Sequence, residues 1–241
     1  MSAGWKIRAE ARLLREDAPA VLTTGALQAL AAAGEVTPPS SATLARWLRE
    51  LVAATKLVEV IKGVYLNRMG HPGVSPAAAS HHVRARSVVS LAWVLEQEGI
   101  TNNFGNTITC VIPTDPSWTN PQVGERRALA ATFRFFAMPA ALVMEEAGGR
   151  LREDVRDLRF DYSRATPEKA LLDWIYLGAS PRSRMTRPPL DIEVTRLDAR
   201  RLRRVAKHMG IGVQLDQWLH LHAAYQADPD VQANQSLKFN F

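Results

Sequence analysis

Six side chains between residues 41 and 62 are of the types that bond nucleic acid. Arg46 and Arg49 can each offer a planar fork of N–H donors to the O6/N7 edge of guanine, and Ser41 and Thr43 can reach bases or phosphates. Lys56 and Lys62 are point charges suited to phosphate, a sequence-independent attraction that weakens with salt. The same residues would also make an ordinary solvated helix face and turn. Their weight therefore depends on the elements that carry them.

Other constellations hold less chemistry. Adjacent His81 and His82 would point about 100° apart on a helix and chelate one ion poorly. His220 and His222 stand two apart, a strand spacing in a segment that reads as helix. With one cysteine, Cys110, and no HExxH, no metal site and no cofactor are expected. Glu168-Lys169, with Asp161 upstream, has the residue types of a nuclease centre. That chemistry needs Glu and Lys separated by one residue, and helix initiation accounts for Thr166 to Lys169 without it. No GxSxG, P-loop or GxGxxG occurs, so no catalytic residue is assigned and the chain reads as a non-enzyme.

The elements around the six residues give them a frame. A helix is expected over Trp5–Arg15, and a second after Thr24 as N-cap, with Leu27, Leu30 and Ala31 at core spacing. A polar turn, Gly34–Ser40, leads to a third helix capped by Ser40 or Ser41. There Leu44, Leu48 and Leu51 form one buried stripe, and Trp47 reads as core. Val58, Val60 and Val64 alternate as strands do around a Lys62-Gly63 turn. Two short helices around a turn, followed by a hairpin, are the elements of a winged helix-turn-helix, read over Leu22–Asn67 and assigned to residues 1–70.

Four Gly or Pro residues within Arg68–Pro76 place a boundary there, with a second domain over 76–241. In it the patterns predict a helix from Ser87 to Glu98 ended by Gly99, strands at 107–112 and 131–138, and a loop from Pro113 to Gln122. Helices should follow Thr166-Pro167, follow Asp198 as far as Gly210, and run from Gln214 through Tyr225. The fold class is α+β: an N-terminal winged helix-turn-helix, then a larger mixed α/β domain. Arg182–Lys207 holds nine basic residues against three acids, which reads as a solvated amphipathic helix, or as a second phosphate-binding face or a partner surface.

The formal charge is +6, with a pI near 9.8, which suits a polyanionic partner without demanding one. Residues 1–70 carry 9 basic and 6 acidic side chains, so the excess is shared between the two parts. Cys110 is expected as a buried thiol on a strand. Residues 1–6 lack a signal-peptide core, and no run reaches the ~18 apolar residues of a membrane span, so a cytoplasmic protein with no membrane association is expected.

Three motifs together resemble the AbiEi family, the antitoxin and transcriptional-regulator half of type IV abortive-infection toxin–antitoxin systems. They are Lys62-Gly63-Val64-Tyr65 at the hairpin, the Val89–Ile100 segment VSLAWVLEQEGI, and the Ala165–Asp173 segment ATPEKALLD. The resemblance spans roughly residues 22–210, and the third motif is the most specific. It implies a non-enzymatic, two-domain protein. The winged helix would bind double-stranded operator DNA, often inverted repeats, and repress its own operon. The second domain would counteract a nucleotidyltransferase-like toxin, direct contact not being required. The turn Gly34–Ser40 is longer than the family's, and the helix Trp5–Arg15 lies ahead of its usual start. The leading expectation is a sequence-specific repressor contacting DNA through Ser41, Thr43, Arg46, Arg49, Lys56 and Lys62. A winged-helix protein-interaction adaptor and a nuclease-related enzyme are the alternatives.

Overall fold

The computed structural model describes residues 3–101, 105–115, 123–144, 146, 151–228 and 230. The chain divides into two compact units: Met1–Ala85 with Arg126–Thr132, and Arg86–Glu125 with Phe133–Phe241. It is a mixed α and β protein, with two sheets among the described residues.

The first unit begins with α1 (Ala3–Leu13), whose residues Trp5, Ala9 and Leu13 recur at helical spacing and are buried. β1 (Val21–Thr23) and α2 (Thr24–Ala32) follow, then α3 (Ser41–Ala53), β2 (Leu57–Ile61) and β3 (Val64–Asn67). A 3-10 turn (Pro76–Ala79) and a single-turn α4 (Ser80–Val83) complete it. β3 lies between β1 and β2 and runs antiparallel to both, with Thr23 opposite Val64 and Val58 opposite Leu66. The three-residue β1 is too short for an alternation signal, and the sequence reading passed over it. It moves the α2 cap one residue earlier than expected, to Thr23, whose Oγ1 accepts from Ala26 N at 3.1 Å.

The core gathers Trp5, Ala9 and Leu13 with Leu27, Ala31, Leu44, Trp47, Leu48, Leu51 and Leu57. Trp5 and Trp47 meet edge to face with centroids 5.2 Å apart. Each of the leucines contributes about 1.5–3 kcal/mol by leaving water. The division between units falls after Ala85, later than the Gly/Pro-rich stretch suggests. That stretch is tied to its own unit: Asn67 Nδ2 donates to Leu13 O at 2.9 Å, and a ring nitrogen of His71 lies 2.6 Å from Ala18 O. Gly70 packs so closely that a Cβ there would stand 2.7 Å from Leu13 O.

The second unit contains β4 (Val88–Val89), α5 (Ala92–Gln97), β5 (Thr107–Thr114), β6 (Gly124–Arg127, its last two residues counted with the first unit) and β7 (Thr132–Pro139). The helices α6 (Ala140–Val143), α7 (Pro167–Ala179), α8 (Ala199–Met209) and α9 (Gly212–Gln226) follow, and the sheet order is β4-β5-β7-β6. The loop expected over Pro113–Gln122 begins two residues late, because β5 runs through Thr114; residues 116–122 lie outside the described ones.

Ser87–Glu98 is not a continuous helix: Val88 and Val89 pair with Val111 and Cys110, and the chain turns at Leu91, which has φ +64°. Two β-branched residues favour the strand, and Thr109 holds the corner, its Oγ1 donating to Ser90 O at 2.7 Å and accepting from Trp93 N at 3.0 Å. The helix end is as read. Gly99 sits at φ +63°, Gly99 N bonds Glu96 O at 2.9 Å, and Ile100 N bonds Leu95 O at 2.8 Å, a Schellman closure.

α7 starts as its sequence says, with Thr166 Oγ1 accepting from Lys169 N at 3.3 Å and Pro167 in the first turn. Yet it is buried almost all round, and Lys169 and Asp173 lie inside the unit as an ion pair. Ser90 Oγ donates to the second Asp173 oxygen at 2.7 Å. Burial pushes the Asp173 carboxyl above the ordinary range, opposed by the Lys169 ammonium and the Ser90 hydroxyl.

A second buried charge, Arg164, bonds Asp157 Oδ2 at 2.8 Å and Glu98 Oε1 at 2.7 Å, with its guanidinium 4.0 Å from the Phe160 ring centre. Burial alone raises the Asp157 carboxyl, but Arg159 and Arg164 outweigh it and hold it below the ordinary carboxylate value. A carboxyl depressed in the fold stabilises it above the unfolded value and loses that effect as pH falls through the folded one. Asp157→Asn is therefore expected to flatten the pH dependence of unfolding over the range below about pH 4, the ordinary carboxylate value. Denaturant titrations across that range check it, and an unchanged slope would count against the assignment.

Candidate nucleic-acid interface

Ser40 starts α3 by accepting from Thr43 N at 3.3 Å through its hydroxyl, which also lies 2.9 Å from Thr43 Oγ1. The helix closes at Thr55, where Thr55 N bonds Val52 O at 3.0 Å and Lys56 N bonds Leu51 O at 2.9 Å. This closure needs a left-handed residue, and Thr55 takes it at φ +56°, unusual for a β-branched side chain. Thr55→Gly is expected to raise stability by about 1 kcal/mol, since the relief of roughly 1–2 kcal/mol exceeds glycine's unfolded-state entropy. A lower midpoint in urea would refute that.

Because Leu44, Trp47, Leu48 and Leu51 face the core, the helical period fixes what looks outward. Arg46 and Arg49 lie about 60° apart on that outward face, with Ala42 and Ala53 between them and Ala45 alongside. All five are exposed. Thr43 lies about 60° beyond Arg46 on one flank, half-buried, its hydroxyl engaged with the Ser40 cap. Ser41 is exposed on the other flank, where it borders a cleft of about 520 Å³ between α3, α2 and the hairpin. Ala45, Arg49, Glu59 and Tyr65 also line this cleft.

The charges sort the same residues. Lys56 is held by α1, its Nζ 2.6 Å from Glu10 Oε2, and Glu10 also accepts from the Trp47 indole at 3.4 Å. Glu50, the one acid of α3, is neutralised by Lys6 Nζ at 2.6 Å. Arg46 and Lys62 have no ion pair among the described residues, and Arg49 makes one bond, from Nε to Ala45 O at 3.4 Å. Thus Arg46 and Arg49 remain available on one face, Ser41 flanks them, Lys62 stands apart at the hairpin tip, and Thr43 and Lys56 are already committed.

The tip itself is pinned. Gly63 O accepts from Thr24 N at 2.9 Å and from Thr24 Oγ1 at 3.3 Å, while Gly63 N donates to Glu59 Oε1 at 3.0 Å. Gly63 has φ +79°, and a Cβ there would stand 3.0 Å from Thr24 Oγ1, so only glycine fits this turn without adjustment.

No protein-family model and no curated protein matches this chain. Among the described residues no group of three or more His, Cys, Asp or Glu could hold a metal ion. Glu168 Oε1 accepts from Asp198 N at 3.0 Å at the start of α8, Lys169 turns to Asp173, and Asp161 is exposed, so these three do not converge on one point. Cys110 is buried on β5, and burial pushes its thiol up and away from thiolate chemistry. No helix among the described residues is long and apolar enough to cross a membrane.

The sequence reading missed the alanines of the α3 face and the claim of Glu10 on Lys56. The alanines were legible, since 42, 45 and 53 share the register of Arg46 and Arg49. The Glu10–Lys56 pair joins residues 46 apart and left no local signal.

Proposed function

We propose that the first unit is a winged helix-turn-helix and that the chain binds duplex DNA through it as a transcriptional repressor. The order α1-β1-α2-α3-β2-β3, with β3 between β1 and β2, supports the winged-helix reading. The observation that carries DNA binding is the pair Arg46 and Arg49, exposed and free of carboxylates on the outward face of α3. The net charge of +6 acts in the same direction by drawing in a polyanion. For the second unit we adopt the role implied by the Val89–Ile100 and Ala165–Asp173 motifs, counteracting a nucleotidyltransferase-like toxin.

Fluorescence anisotropy of the full chain with duplexes from its own promoter region and with scrambled duplexes tests the first part. A preference of roughly 10³-fold or more, and affinity falling with salt, are expected. Equal affinity for both duplexes would overturn sequence-specific repression, and no binding to either would favour a protein-interaction adaptor. Co-expression with a nucleotidyltransferase encoded beside it tests the second part: failure to restore growth would remove the antitoxin role.

A further inference from the structure

We infer that α3 reads a pair of closely spaced guanines through the major groove, with Arg46 and Arg49 as the base-reading residues, and that the hairpin reads nothing in the minor groove. This rests on the DNA-binding reading above and narrows it to a chemistry.

Arg46 and Arg49 stand at the centre of the outward face, where a helix in the major groove meets base edges; its flanks meet the phosphates. Ala42 and Ala53 lie between them and Ala45 lies beside Arg49, so no bulky side chain stands between the two arginines; the exposed Glu50, about 40° beyond Arg46, is held by Lys6. The bond from Arg49 Nε to Ala45 O lays its stem along the helix and leaves both terminal nitrogens free among the described residues. Free paired donors match guanine O6 and N7, the one base edge offering two acceptors in the major groove. Three residues of helix rise about 4.5 Å, slightly more than one base step of about 3.4 Å, so the two guanines should be neighbours or one pair apart. Thr43 is then a positioning residue, since it acts on α3 through Ser40.

The hairpin argues the negative half. Its turn is only Lys62-Gly63, and both bonds from Thr24 to Gly63 O hold that turn against the start of α2. A tip fixed there has no reach of its own. Lys62 is its one cation, enough for a phosphate and too little to enter a second groove.

The experiment uses the full chain and a randomised duplex pool. Enriched duplexes are expected to share two guanines at adjacent or next-but-one positions. Replacing each by 7-deazaguanine, which lacks N7, should weaken binding roughly tenfold or more. Replacing each by inosine, which lacks only the minor-groove amino group, should leave affinity unchanged. Arg46→Ala and Arg49→Ala should each lose sensitivity to 7-deazaguanine at one of the two positions. Enriched sites without the guanine pair, indifference to 7-deazaguanine, or an equal loss with inosine would overturn the inference while leaving DNA binding standing. If no duplex is enriched, the DNA-binding reading falls, and this inference with it.

Discussion

The double substitution Arg46→Ala, Arg49→Ala is expected to erase discrimination between operator and scrambled duplex while leaving the fold intact. Each bidentate contact to a base contributes about 1–3 kcal/mol of discrimination, so losing both should cost on the order of 10²-fold or more in specific affinity. Residual binding should persist, because Lys62 and the general positive charge still attract phosphate. The fold should tolerate the change: both side chains are exposed, neither has an ion pair among the described residues, and alanine is the best helix former. Thermal midpoints should therefore stay within the range of ordinary surface substitutions, about 0.5 kcal/mol. Parallel anisotropy and melting curves read both effects. Retained discrimination in a folded double variant would remove α3 from the interface.

The second large effect belongs to the second unit. Lys169→Met should destabilise it by roughly 3–5 kcal/mol, because Asp173, fully buried, would lose its cation and keep only the Ser90 hydroxyl. Asp173→Leu should be similarly severe by stranding the ammonium of Lys169, itself 1% exposed. The pair replaced together should recover much of the loss, since two apolar side chains leave no buried charge. Urea unfolding of the full chain by tryptophan fluorescence, with Trp174 on the same helix, measures all three. If the double variant were as unstable as the sum of the single ones, the pair would not be coupled.

Where local chemistry decided the structure, the sequence was readable. Ser40, Thr166 and Asp198 cap helices as their types and positions suggest, and Gly99 and Gly210 end helices in the left-handed region. The Leu44–Leu51 stripe gave the orientation of α3, and hence the face on which Arg46 and Arg49 stand. What failed to show was set by distant residues. Val88-Val89 became a strand because β5 lies beside it, and the leucine-rich stretch after it supplied helical periodicity that hid the corner at Leu91. Lys56 looked free because its partner, Glu10, sits on another helix. The engagement of the Thr43 hydroxyl with Ser40 was not legible either, because nothing in its type says whether a hydroxyl bonds locally or faces outward.

The pinned hairpin has one more consequence, and it concerns time and heat. A long, loose arm would have to become ordered as it docks, adding an unfavourable entropy and the large heat-capacity signature of coupled folding. Here the bonds from Thr24 to Gly63 have already fixed the turn. Association should then proceed as a rigid encounter steered by charge, with a rate set by ionic strength.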